Sequence, residues 1–142
     1  MIKTFTKALS GEDSKRVWNI VFSHPEWFGE DTDGDALIHC HFYGLYTEFN
    51  ELTAFYAVAD WEYGQEKTIC YVYVFEEYRK QGLFNKIIKN VKNTYTDCTY
   101  IAIGAREENK VANEIYARKF KWIRYSDEDH GNWYLVLERN KK

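Results

Sequence analysis

Between positions 67 and 75 the chain reads KTICYVYVF, a run of β-branched and aromatic residues with almost no polar interruption. Such a run predicts a strand covered on both faces and lying near the middle of its sheet. The polar stretch EEYRKQG follows, and then Leu83, Ile87, Ile88 and Val91 recur at near-helical spacing, with Lys86, Lys89 and Lys92 on other faces. This is the signature of an amphipathic helix over 82–95. The same reading gives strands over 2–8, 38–48, 52–61, 98–104, 121–126 and 132–139, and helices over 11–23 and 108–119. Asn50-Glu51 and the segment Gly64-Gln65-Glu66-Lys67 supply turn chemistry between neighbouring strands, and 29–35 forms a Gly/Asp-rich connection. Consecutive strands come first and strands joined by helices afterwards. The expected class is therefore α+β (α/β), a central mixed, mostly antiparallel sheet flanked by helices.

Composition narrows this to one compact unit. Hydrophobic residues make up 45% and aromatic residues 18% of 142 residues, with a single proline. A chain of this size buries about 68 to 70% of its unfolded surface, enough for one independent core over 1–142. Cys40, Cys70 and Cys98 are dispersed, without a C-x-x-C pair. That pattern suits reduced thiols, and with no apolar leader in MIKTFTKAL it points to a cytoplasmic protein and to no membrane partner. The net charge of −3 opposes general attraction to a nucleic acid. A monomer or homodimer is expected.

The chemistry concentrates at Tyr78-Arg79-Lys80-Gln81-Gly82-Leu83-Phe84, where the aromatic strand passes through a cationic, glycine-bearing turn into the helix. Opening amides of a helix lack internal partners and sit at the positive end of its dipole, so they suit phosphate oxygens. Gly82 permits close approach of a ligand to the backbone, and Arg79 and Lys80 add charge. A second element follows in the helix over 108–119. There Val111, Ile115 and Lys119 share one side, while Asn109, Ala112 and Tyr116 fall on adjacent turns and can line one groove.

Together these segments resemble motifs A and B of the GNAT superfamily of acyl-CoA-dependent N-acetyltransferases. The pyrophosphate loop of that family, Q/R-x-x-G-x-G/A, is matched by Arg79 and Gly82, and its N-x-x-A-x-x-x-Y helix by Asn109, Ala112 and Tyr116. Two departures stand out. Phe84 replaces the last small residue of the loop, where it would crowd the phosphates unless its ring turns into the core. No glycine follows the Tyr-bearing helix.

The resemblance implies acetyl-CoA as co-substrate, with no metal, and direct transfer of the acetyl group to a primary amine on a small molecule, a polyamine or a protein. It implies that the fourth and fifth strands diverge and admit the pantetheine arm as a surrogate strand, held by backbone groups around Tyr73, Val74 and Phe75. Arg79, Lys80, Gln81, Gly82, Leu83 and Phe84 would then surround the pyrophosphate, and Asn109 would bond the arm. Tyr116 would act as the acid toward the leaving thiolate, and Glu76, Glu77 or Glu62 as the base. The alternative is a GNAT-like binding or inhibitory module that no longer catalyses, its loop blocked by Phe84.

The remaining candidates weigh less. His39 and His41 share a strand face, but a third metal ligand is missing from sensible spacing, so they read as ordinary strand residues. Glu30-Asp31-Thr32-Asp33-Gly34-Asp35 is half a calcium loop with its glycine misplaced. Its carboxylates, and those of Asp127-Glu128-Asp129, would attract a cationic acceptor such as a lysine side chain or a polyamine. Trp27, Trp61, Trp122 and Trp133 read as core residues.

Overall fold

Every residue of 52–59 is buried, including Thr53, Phe55 and Tyr56. In the computed structural model, which describes residues 3–23, 40–60, 66–104, 110–118, 121–124 and 131–136, this segment belongs to the third strand of the sheet. The elements are β1 (Thr4–Ala8), α1 (Gly11–Ser23), β2 (Cys40–Thr47), β3 (Leu52–Asp60), β4 (Glu66–Val74), a 3-10 turn (Glu76–Tyr78), α2 (Leu83–Thr94), β5 (Tyr100–Gly104), α3 (Lys110–Ala117), β6 (Lys121–Arg124) and β7 (Gly131–Val136). They follow the order expected from the hydrophobic pattern, with strand and helix ends displaced by a residue or a few.

The strands form one seven-stranded sheet in the order β1-β2-β3-β4-β5-β7-β6. β1 to β4 make an antiparallel meander. Among the described strands β4 and β5 alone pair in parallel, and α2 is the crossover that such a pair requires. β7 then pairs antiparallel with both β5 and β6.

Successive side chains of a strand point to opposite faces, and β3 divides its residues accordingly. Ala54, Tyr56 and Val58 pack with Leu45, Ile69, Ile101, Ile103, the α2 residues Leu83, Ile87, Ile88 and Val91, and Tyr116 of α3. Phe55 and Ala57 pack with Tyr46, Leu52, Tyr71 and the α1 residues Val17 and Val21. The domain thus has three layers, with α1 against one face of the sheet and α2 and α3 against the other. On α3 the buried side is that of Tyr116, whereas Ile115 is exposed.

β4 lies in the middle of the sheet, as its sequence predicts, but β3 is the strand covered throughout. In β4, Lys67, Ile69 and Tyr71 are buried, whereas Thr68, Cys70 and Val72 are only half-buried. Beyond Ile69 its ladder with β5 stops, as described below, which leaves Val72 with one strand neighbour.

α1 is fixed at its start. The Ser10 hydroxyl accepts the Asp13 amide at 3.2 Å and donates to Asp13 Oδ2 at 3.0 Å, an N-cap arrangement. Tyr46 of β2 donates to the same carboxylate at 2.7 Å. Burial, with Asp13 beside it, pushes the Tyr46 phenol up to about 12.

Two predictions follow from this packing. Ile87→Ala, at a fully buried site of α2, should lower unfolding free energy by about 2 to 5 kcal/mol in urea titration, whereas Ile115→Ala should stay within about 0.5 kcal/mol. The Tyr46 phenol holds its proton more tightly when folded than at its ordinary value of 10.0, so its contribution is complete below about pH 10 and is lost as pH rises toward about 12. Tyr46→Phe should therefore be the less stable protein at neutral pH and show a shallower loss of stability across that alkaline window.

Candidate active site

The β4–β5 ladder runs from Glu66↔Tyr100 to Ile69↔Ile103 and ends there, while the ladder of β4 with β3 continues to Val74. At the parting point β4 carries an extra residue. Ala57 lies opposite Tyr71 and its neighbour Val58 opposite Ile69, so Cys70 is a β-bulge. A bulge bends its strand and increases the local twist. β5 meanwhile keeps its pairing with β7 through Gly104, so the two parallel strands separate toward their C-terminal ends.

The hydrogen-bond phase beyond the bulge can be worked out. Phe75 donates its amide to the Thr53 carbonyl at 3.0 Å. In an antiparallel ladder, residues that exchange bonds with the partner alternate with residues that face away. Counting back through the register, Tyr73 opposite Phe55 and Tyr71 opposite Ala57 face β3. The backbone groups of Val72 and Val74 therefore face the gap. Of Tyr73, Val74 and Phe75, the three expected beside a ligand there, Val74 alone turns its backbone groups to the gap. Phe75 has its amide on Thr53 and its carbonyl on the Tyr78 amide at 2.8 Å, and Tyr73 points its backbone the other way. Val72 faces the gap as Val74 does. Sequence alternation had no means of fixing this phase, because the bulge shifts it by one residue.

The turn that follows is held at several points. Arg79 donates Nε to the Val74 carbonyl at 2.9 Å and lies over the Tyr73 ring, 5.6 Å from its centroid. Tyr78 donates to Glu51 Oε2 at 2.8 Å, which ties the 3-10 turn to the β2–β3 connection. That bond, with the nearby carboxylate charge, raises the Tyr78 phenol above its ordinary value. From α1, Arg16 covers the Phe75 ring at 4.3 Å. Glu76 and Glu77 are both exposed.

Lys80 and Gly82 both have positive φ, 64° and 74°, and Gly82 is the N-cap of α2 without a side-chain cap. Alternating left-handed residues turn successive amides toward one point and form an anion-binding concavity. Among the described residues the amides of Gln81, Gly82 and Leu83 donate to no backbone carbonyl. Among the described residues a Cβ built on Gly82 would meet nothing within 4 Å, so none of them fills the space above the turn. Lys80, a non-glycine residue held left-handed, carries strain of order 1 to 3 kcal/mol of the kind found at ligand-holding turns. The turn thus fits a pyrophosphate by shape, donors and charge.

Phe84 does not fill this space. Its half-buried ring packs against the core and lies 5.4 Å from the Tyr116 ring, tilted by 33°. Burial pushes the Tyr116 phenol up to about 12, which keeps it protonated at neutral pH. Leu83 is buried in the same cluster, Lys80 is exposed, and Gln81 is half-buried. His41 is exposed on β2. Asn109, Glu62, His39, Trp27, Trp61 and the acidic segments 30–35 and 127–129 lie outside the described residues. Among those described, no three His, Cys, Asp or Glu side chains gather as a metal-holding group, and no helix is long and apolar enough to cross a membrane.

No family model matches the sequence, and no curated protein resembles it in sequence. Solved structures do resemble it in fold. A GNAT-family acetyltransferase from Staphylococcus aureus superposes with a TM-score of 0.72 at 13% identity, covering 96% of this chain and 100% of that one. The ribosomal-protein-S18-alanine N-acetyltransferase of Escherichia coli gives 0.68 at 13% identity over 99% of this chain and 97% of its own. A Bacillus subtilis acetyltransferase in complex with CoA gives 0.67 at 14% identity, over 96% and 99%. Over nearly its whole length the chain therefore shares the fold of these acetyltransferases, the GNAT fold.

Proposed function

We propose that this chain is an acetyl-CoA-dependent N-acetyltransferase that passes the acetyl group directly to a primary amine. The observation that carries the reading is the continuous path formed by the β4–β5 gap and the turn at its end. Backbone groups of Val72 and Val74 face the gap, and at its end stand the amides of Gln81, Gly82 and Leu83, which donate to no backbone carbonyl among the described residues. A pantetheine arm needs the first and a pyrophosphate the second, in that order along the molecule.

Amide formation sets two proton tasks. The amine must lose a proton before it attacks the thioester carbonyl, and the departing thiolate must gain one. Tyr116 serves the second task, since its buried phenol is protonated throughout the neutral range. Glu76 and Glu77, exposed at the end of β4, are assigned the first, relaying the ammonium proton through water to solvent. None of the three cysteines forms a disulfide and none lies in an activating motif, so the acetyl group moves without a covalent enzyme intermediate. Asn109 is assigned to the arm on the strength of the motif. The acceptor is a small-molecule, polyamine or protein amine, with a cationic one favoured by the acidic connection. The reading of a non-catalytic module loses its main ground, because Phe84 turns away from the turn it was expected to block.

Calorimetry with acetyl-CoA tests the site. Arg79→Glu removes both the brace on Val74 and a positive charge, so affinity should fall by about tenfold to a hundredfold, matching one charge-assisted hydrogen bond of roughly 1.5 to 3 kcal/mol. Absence of acetyl-CoA binding by the unaltered protein would sink the proposal. Tyr116→Phe should bind acetyl-CoA within about twofold of the parent yet turn over about a hundredfold more slowly. An unchanged turnover would remove Tyr116 from the acid role.

A further inference from the structure

Cys40 and Cys70 lie on strands that do not pair with each other, yet their thiols meet. Cys40 opens β2 opposite Ala59 of β3, and Ala59 has Thr68 of β4 on its other side. The bulge adds Cys70 just beyond, and both cysteines pack against the cluster on the α1 face of the sheet. On that face β3 carries Ala57 and Ala59, whose methyl groups leave room for two sulfurs to reach each other above the strand. The Cys70 thiol hydrogen-bonds to that of Cys40, and the Ala59 amide donates to the Cys70 sulfur.

A sulfur that accepts such a bond is stabilised as the thiolate, and one that donates it is held as the thiol. Cys70 has a single proton to give, and the Thr68 carbonyl at 3.8 Å competes for it. An ionised thiol is the stronger acceptor, so the proton turns to Cys40 once Cys40 is a thiolate. Cys40 also lies nearer the surface than Cys70, which favours the charge on Cys40. The bond from Cys70 accordingly holds the Cys40 thiol below its ordinary value against the opposing effect of burial, whereas that bond and burial push the Cys70 thiol far up. A disulfide between the two is out of reach. With one strand between them their backbones stand about 9 to 10 Å apart, twice the strand spacing, and a disulfide spans at most about 6.8 Å.

We propose that Cys40 is a thiol modification site: its sulfur, receiving the Cys70 S–H bond across β3, exchanges with disulfides of low molecular mass. The Cys40 thiolate attacks one sulfur of such a disulfide, a new S–S bond forms as the old one breaks, and the other half leaves as a thiolate. Cys40 is thereby oxidised and the leaving half reduced. Cys98 is fully buried and takes no part. Cys40 stands on β2, two strands from β4 and its gap, so the exchange is separate from acetyl transfer.

The probe is the aromatic disulfide dithiobis-nitrobenzoate, whose coloured thiolate reports each exchange. In the unaltered folded protein one thiol should react fast, and peptide mass mapping and Cys40→Ser should both assign that phase to Cys40. Folded, Cys40 should react at least as fast as in the urea-unfolded chain, although folding half-buries it, and this comparison needs no variant. Cys70→Ala should slow the fast phase by about threefold to tenfold, and Cys70→Ser, which keeps a donor, should retain most of the rate. A smaller neighbour only opens the site, so an equal or faster rate in Cys70→Ala overturns the proposal. Slower reaction of Cys40 folded than unfolded, a fast phase that maps to Cys70 or Cys98, or a Cys40–Cys70 disulfide as the product would overturn it as well.

Discussion

The structure depends on two parallel strands that stop pairing halfway. A strand pair normally continues until one chain ends, because each unmade ladder bond costs the desolvation of its groups, about 1 to 3 kcal/mol when buried. Here β4 continues well past Ile69 along β3 while β5 leaves with β7. The bulge at Cys70 makes this possible by bending β4 at the point of departure. What would be a defect in a closed sheet becomes a slot whose walls present backbone donors and acceptors in strand geometry. A ligand that behaves as a strand is the natural complement.

The slot leads somewhere because the end of β4 is tightly held. Phe75 is anchored to Thr53 of β3, Tyr78 to Glu51 in the preceding connection, and Arg79 back to Val74. Arg16 reaches over from α1 to cover Phe75. Three earlier parts of the chain therefore brace one short turn. Bracing of that kind lets Lys80 persist in a left-handed conformation that would otherwise relax, just ahead of the opening amides of α2. Preorganised donors cost nothing to align at the moment of binding, which is where their advantage over mobile cations lies.

Much of this was legible in the sequence because the strong signals were local. The apolar spacing of Leu83, Ile87, Ile88 and Val91 defined α2, and the aromatic run defined β4 as a central strand. The cationic glycine turn between them was placed correctly for the same reason. Two things escaped. The hydrogen-bond phase of β4 is shifted by the bulge at Cys70, so alternation along the sequence could not tell that the backbone of Val72 faces the gap while that of Tyr73 faces β3. The direction of the Phe84 ring depends on Tyr116, more than thirty positions away, and periodicity within one helix says nothing about a partner in another. Pattern reading finds elements and turns, whereas the angles of side chains between elements come only from the assembled core.

The account is tested most directly by amide NMR of the 15N-labelled protein as acetyl-CoA is added. It predicts the largest shifts at the amides of Gln81, Gly82, Leu83, Val72 and Val74, with Phe75 nearly still because its amide remains on Thr53. Strong shifts at Phe75 and Tyr73 with none at Val72, or no response from the three turn amides at saturating acetyl-CoA, would contradict it.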